Sequence, residues 1–369
     1  MPIYKKHLST AFALLILLTA QAQKLKPGFD KNEFIEVLKT DFLIAYDTAE
    51  WKIPGSVTHP QQFKFVYRSP LMGLQNMWDL WINKDSVAII NIRGTDIKPN
   101  PVSWLVNYYA AMVPAKGKLE LEKNFFFNYN LSNDEKAAVH VGFLVSTAYL
   151  SRDILSKIDS CYKKLGIKNF IIAGHSQGGA ITYLMTSYLE SLKNEQIIPR
   201  DIRFKTYSSA SPKVGNLYYA YTYEILTRDW AFNVVNTSDW VPEVPFSIQT
   251  VNDFTEVNPF TQVKPMIKKQ KFPARIALKH VYKKLSKPAF KAQKSYQKYL
   301  GDMVVKSVKK NLLEFKAPTY YESNNYVRIG TTIVLYADEE YKKLYPTKPE
   351  QIWLNHGIER YLYLTEKLK

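Results

Sequence analysis

Runs of β-branched and aromatic residues alternate along this chain with stretches of helical periodicity, the pattern of a mostly parallel sheet covered by helices. Four runs, Val87–Ile92, Asn169–Ala173, Ile202–Tyr207 and Phe232–Asn236, are apolar almost throughout, as strands buried on both faces must be. Tyr326–Ile329 and Thr332–Tyr336 read as a late hairpin. Gly142–Lys164 carries the period of an amphipathic helix closed by Leu165-Gly166, and Ala180–Leu192 that of a more apolar one. Gly357–Leu368 reads as a surface helix, and no internal repeat is visible.

One segment departs from this alternation. Residues 261–316 hold 16 Lys or Arg against Asp302 and Glu314 alone. Tyr296, Leu300, Val304, Val308 and Leu312 recur there at every fourth position, so part of the segment is expected to be a helix with one apolar face and a lysine-rich remainder. Three readings stand: a solvated lysine face, an element drawn to an anionic membrane surface, or a nucleic-acid arm. The aromatics interleaved with the lysines are what interfacial helices often show, and no nucleic acid is expected as a partner.

Composition adds limits. Of 369 residues 46% are hydrophobic and 22% charged, which excludes a disordered chain. Residues 1–22 resemble an export signal, with Lys5 and Lys6 before the apolar run Ala11–Leu18 and Ala20-Gln21-Ala22 as the cleavage site, so a periplasmic or extracellular location is expected. An uncleaved anchor is the alternative, although no stop-transfer pattern follows. Removing the signal leaves a net charge of +15 (+17 for the whole chain less Lys5 and Lys6), almost all of it in 261–316. The single cysteine, Cys161, can form no intramolecular disulfide, and the histidines lack the zinc-hydrolase spacing, so neither metal nor cofactor is expected.

The chemistry gathers around Gly174-His175-Ser176-Gln177-Gly178, a G-x-S-x-G sequence between a buried strand and a helix. So tight a turn strains the serine backbone, and a side chain two residues before or after it would clash, which explains the glycines. Ser176 is then a candidate nucleophile, with the backbone N–H of Gln177 at the helix N-terminus as a candidate oxyanion donor. A serine needs a base, and on such folds the acid and then the histidine follow in the chain. Among the later acids, Asp239 alone stands a few residues beyond a buried strand. Of the two histidines after it, His280 lies among lysines that disfavour an imidazolium, which leaves His356 as the candidate base. Thr95, in Arg93-Gly94-Thr95-Asp96 after the first buried strand, is the candidate second oxyanion donor, a plain tight turn being the alternative. His140 and His175 read as structural.

With those residues in place the chain resembles the class 3, fungal-lipase-like branch of the α/β-hydrolases. The resemblance rests on Ile92-Arg93-Gly94-Thr95, Val139-His140-Val141-Gly142-Phe143, Gly174–Gly179, Tyr207–Asn216, Asn236–Pro242 and His356, in that order. It implies an α/β-hydrolase over 23–369 with a basic helical insertion, a Ser176, Asp239, His356 triad, oxyanion donors at Thr95 and Gln177, no cofactor, and hydrolysis of lipid carboxylic esters, acylglycerols first. Phospholipase A1 action and a catalytically silent lipid- or envelope-binding protein are the alternatives. Lys213, where the family has arginine, and the lengthened gap between Asp239 and His356 depart from the pattern. In the family the stretch after the oxyanion loop forms a lid; here Trp104–Val113 reads either as such a lid or as a core helix.

Overall fold

The computed structural model describes residues 25–48, 51, 57–96 and 101–369; the export signal expected at 1–22 lies outside them. A seven-stranded sheet forms the centre. Its strands, in chain order, are β1 (Phe63–Arg68), β2 (Trp78–Asn83), β3 (Val87–Ile92), β4 (Asn169–His175), β5 (Arg203–Ser209), β6 (Ala231–Asn236) and β7 (Thr331–Leu335), and they lie side by side in that same order. The pairs β1–β2 and β2–β3 are antiparallel; from β3 to β7 every pair is parallel.

Numbering helices of eight residues or more, α1 is Lys31–Leu43, α2 Pro101–Tyr108, α3 Val141–Leu165, α4 Gln177–Asn194, α5 Leu217–Thr227, α6 Ala274–Gln297, α7 Val304–Asn311 and α8 Ile358–Glu366. They divide between the two faces of the sheet, and the strand period of two explains how. Ala88, Ile90, Ile92, Phe170 and Ile172 face the core beneath α3 and α4. Val87, Ile89, Ile171 and Ala173 face the opposite core beneath α1 and α8. Both faces are therefore apolar, and the runs legible in the sequence are the consequence. The long α3 ends where expected, with Gly166 in the left-handed conformation (φ 64°) closing it.

The late hairpin is not formed. Tyr326–Val327 pairs antiparallel with Gly215–Asn216 in a separate four-stranded sheet, whereas β7 runs parallel to β6. The Tyr326 hydroxyl donates to the Ala110 carbonyl at 2.7 Å and holds its strand there, and Gly330, at φ 78°, helps turn the chain across to the central sheet. The final helix is also more than a surface element, because Tyr361, Leu364 and Thr365 are buried.

Two expectations about α2 and the basic segment meet a divided outcome. The run Trp104–Val113 is not one helix. Trp104 and Tyr108 sit on the outer part of α2, Tyr108 half exposed, but Val106 is buried and Tyr109–Val113 runs through the core into the strand Met112–Pro114. The basic segment folds as the short helix Val263–Lys268, then α6, a π-helical turn at Lys298–Met303, and α7. The four-residue apolar spacing is realised as a buried face, with Tyr296, Val308 and Leu312 against the body.

Candidate active site

The elbow follows directly from its glycines. β4 runs out at His175, Ser176 takes φ 59° and ψ −126°, and α4 begins at Gln177. A Cβ on Gly174 would lie 2.5 Å from the Gly178 carbonyl carbon, and one on Gly178 would lie 2.0 Å from the Ile92 carbonyl oxygen. Neither space exists for any other residue. Gly179 is nearly as confined, its missing Cβ 2.9 Å from Ser208 Oγ. The strained serine is fixed on both sides, its N–H donating to Ser209 O at 2.9 Å and its carbonyl accepting from Ala180 N at 3.1 Å. Such a conformation persists only where the surroundings over-determine it.

The turn after β3 lies over this elbow. Gly94 approaches so closely that a Cβ there would be 3.0 Å from His175 O and 3.5 Å from the Ser176 Cβ. Thr95 is tied in by two donors to its hydroxyl, Asn107 Nδ2 at 2.9 Å and Gln177 Nε2 at 3.2 Å. Gln177 Nε2 also donates to Ser103 O at 3.0 Å, and its Oε1 accepts from Asn76 Nδ2 at 3.4 Å. The two candidate oxyanion residues are thus joined through side chains and anchored to both ends of α2.

On the far side of the elbow, Asp239 stands in the turn after β6 with its side chain fully buried. Val241 N donates to Oδ1 at 3.0 Å, while Oδ2 accepts from His356 Nδ1 at 2.9 Å and from the Tyr361 hydroxyl at 2.8 Å. Because the carboxylate accepts, the proton of a neutral His356 resides on Nδ1, and Nε2 is left as the basic nitrogen. Tyr361 was not singled out in the sequence. Its hydroxyl also accepts from Asn236 N, and burial beside the Asp239 charge raises its pKa well above the ordinary phenol value, so it remains a donor. The available signal was an aromatic five residues beyond His356 on the buried side of the last helix.

His175 connects the two sides. Its Nε2 meets the His356 carbonyl at 2.8 Å and its Nδ1 meets Ser209 Oγ at 2.8 Å. A carbonyl only accepts, so Nε2 carries the proton and Nδ1 receives the Ser209 hydroxyl. Burial holds this ring neutral, far below the usual histidine pKa. The residue next to the nucleophile therefore fixes the loop that carries His356, whose ring packs 4.8 Å from that of His175, centroid to centroid. His140 plays a similar part elsewhere: it caps α3 through Phe143 N, contacts Asn107 O, and is pulled down to about 3 by burial. His280 is exposed on α6 and is not among the hydrogen-bond partners of Asp239.

An aromatic wall adjoins His356. Trp353 lies 5.6 Å from the His356 ring, Trp240 4.9 Å and Trp104 5.9 Å from Trp353, and Tyr108 5.9 Å from Trp104. These side chains come from the loop before His356, the turn after Asp239 and helix α2. Trp353 and Tyr108 are each about half exposed, so the wall offers apolar area beside the site.

Comparison with known proteins follows the same outline. Residues 89–249 match the family model described as Lipase (class 3), a stretch that includes Ser176 and Asp239 and ends before the basic segment and His356. Secreted mono- and diacylglycerol lipase 1 of Fusarium solani is 24% identical over 141 residues, 36% of this chain and 39% of that one. The chain thus spans about two fifths of the length of the curated relative it matches. Among solved structures, the native Rhizomucor miehei lipase propeptide complex aligns with TM-score 0.43 at 18% identity, covering 60% of this chain and 65% of that one. Lip2 lipase from Yarrowia lipolytica aligns with TM-score 0.44 at 17% identity, covering 60% and 76%. A mostly parallel sheet in sequential order, flanked by helices, and a glycine-flanked serine at φ 59° between strand and helix stand in the stretch that matches the family model: residues 89–249, somewhat less than half of the chain, are similar to the class 3 lipases.

Proposed function

We propose that this chain is an exported serine hydrolase of lipid carboxylic esters, acylglycerols foremost, with residues 23–369 as one hydrolase domain interrupted by 261–316. What supports the reading is a strained Ser176 (φ 59°) in the elbow and a His356 ring held by Asp239 at 2.9 Å, with the His356 carbonyl tied to His175, the residue before the serine. In the reaction Ser176 Oγ attacks the ester carbonyl while His356 Nε2 takes the hydroxyl proton. Asp239 keeps the ring in its tautomer and stabilises the imidazolium. The tetrahedral oxyanion is received by the backbone N–H groups of Thr95 and Gln177. The carbon–oxygen bond to the leaving alcohol then breaks, and the alcohol departs with the proton from His356. Water, deprotonated by His356, attacks the acyl-enzyme and releases the fatty acid and the free serine.

Two features support a lipid substrate: the aromatic wall of Trp104, Trp240 and Trp353 beside His356, and the match of residues 89–249 to the class 3 lipase family model. A second reading, phospholipase A1 action at an anionic membrane surface, is favoured by the cationic excess in 261–316. Export rests on the pattern of residues 1–22; no helix among the described residues is long and apolar enough to cross a membrane. Hydrolysis of a p-nitrophenyl ester tests the central reading. Ser176→Ala is expected to lower kcat by roughly 10⁴-fold or more with an unchanged melting temperature. If the wild type and the variant are equally inert toward esters of every chain length, the fold serves as a silent binding protein instead.

A further inference from the structure

The basic segment is two things, not one. From residue 257 to 301 there are twelve Lys or Arg and no Asp or Glu. Within it, α6 has 24 residues, or about 36 Å at 1.5 Å per residue. At 3.6 residues per turn, Ala274, Leu278, Val281, Leu285, Ala289 and Tyr296 share one side of that helix, whereas Lys279, Lys283, Lys287, Lys291 and Lys294 occupy the other. At the C-terminal end the apolar side is covered: Gln293 and Tyr296 are buried against the body. Toward the N-terminus the same side continues without a cover, with Leu278 46%, Val281 53% and Leu285 74% exposed, and Phe272 just before the helix 77% exposed. Pro288 falls where the covered and uncovered parts meet, and it removes the donor that the Lys284 carbonyl would otherwise receive.

We infer that the uncovered part of α6 together with Phe272 before it, residues 272–289, is a docking element that lies in the surface of a lipid bilayer bearing anionic headgroups. It deepens the reading of a lipid ester hydrolase by naming the surface at which that enzyme works. An apolar row opposite a lysine-rich face, on a helix too polar to span a membrane, is the signature of an interfacial helix. The occupant must supply both an apolar interior and negative charge. A second copy of α6 would bring like charges together with no acid on either helix to pair them. A nucleic acid would engage the lysines but leave Leu278, Val281 and Leu285 in water.

The root of this helix is tied to the site. The Leu300 carbonyl accepts from Ala110 N at 3.0 Å and from Ala111 N at 3.3 Å, and α7 packs against α2. Helix α2 carries Trp104 and Tyr108 of the aromatic wall. The docked helix and the apolar approach to His356 therefore belong to elements in direct contact.

The test is flotation of the full chain with phosphatidylcholine vesicles, with and without about 30 mol% phosphatidylglycerol, at low and high salt. Two triple variants accompany it, Leu278→Asp with Val281→Asp and Leu285→Asp, and Lys279→Gln with Lys283→Gln and Lys287→Gln. The expected result is binding that needs phosphatidylglycerol, weakens with salt, and falls at least about tenfold in either variant. Melting temperature and hydrolysis of a water-soluble ester stay unchanged. Equal binding to both vesicle types, no binding, or wild-type binding by the Asp variant overturns the inference, as does a dimer that the Asp changes abolish or tighter association with RNA than with vesicles. Vesicle binding of the expected kind by a chain inert toward all esters would keep the docking helix and remove the hydrolase reading.

Discussion

The elbow and the exposed half of α6 are both written as short sequence patterns, yet they answer to opposite constraints. Around Ser176 the neighbours leave little freedom: Gly174 and Gly178 admit no Cβ, the Gln177 amide donates to the Thr95 hydroxyl, and Asp239 Oδ2 takes two donors. In α6 the pattern is equally regular, but residues 274–285 present their apolar side to solvent. Periodicity alone tells which residues share a face. Whether that face is covered depends on what the rest of the chain brings to it, and Tyr296 and Leu285, on one helix side, have opposite fates.

Substitutions sharpen the contrast. The largest stability effect is expected for Gly178→Ala, because the new methyl would overlap the Ile92 carbonyl at 2.0 Å and force β3 and α4 apart. A loss of about 3 kcal/mol or more is expected in chemical denaturation, with activity lost as the elbow opens. Val308→Ala in α7 removes fully buried methyl groups and is expected to cost about 2 kcal/mol. Leu285→Ala in the exposed part of α6 should change stability by no more than about 0.5 kcal/mol. Equal costs for the last two would show that the uncovered side of α6 is packed after all.

Tyr361→Phe should leave the fold nearly intact and change the chemistry instead. Without its donor, Asp239 Oδ2 keeps His356 Nδ1 as its one partner and the carboxylate that orients the ring is held less firmly. The expected result is a kcat lower by about tenfold with KM nearly unchanged. A kcat equal to that of the wild type would make Tyr361 a packing residue only.

What could be read from the sequence follows the range of the forces involved. The buried strands, the closure of α3 at Gly166 and the glycine-flanked serine were legible because each is fixed by residues within a few positions of itself. Asp239 and His356 were legible by their order along the chain, and the structure brings them to 2.9 Å. Tyr361 was missed since its contact with Asp239 spans 122 positions and is set by how α8 packs. The false hairpin has a similar origin. Tyr326–Val327 and β7 are each competent to pair, but Gly215–Asn216 and β6, far away in sequence, are the partners they find. In Trp104–Val113 uniform apolarity concealed a change from helix to strand, which only the burial of Tyr109 and Met112 reveals.

The most direct measurement is covalent trapping. Incubation of the intact protein with an alkyl p-nitrophenyl phosphonate should add one phosphonyl group to the peptide containing Ser176, in step with loss of esterase activity. In His356→Ala the labelling rate should fall by roughly 10³-fold. Labelling of another residue, or labelling of Ser176 at an unchanged rate without His356, would contradict the account.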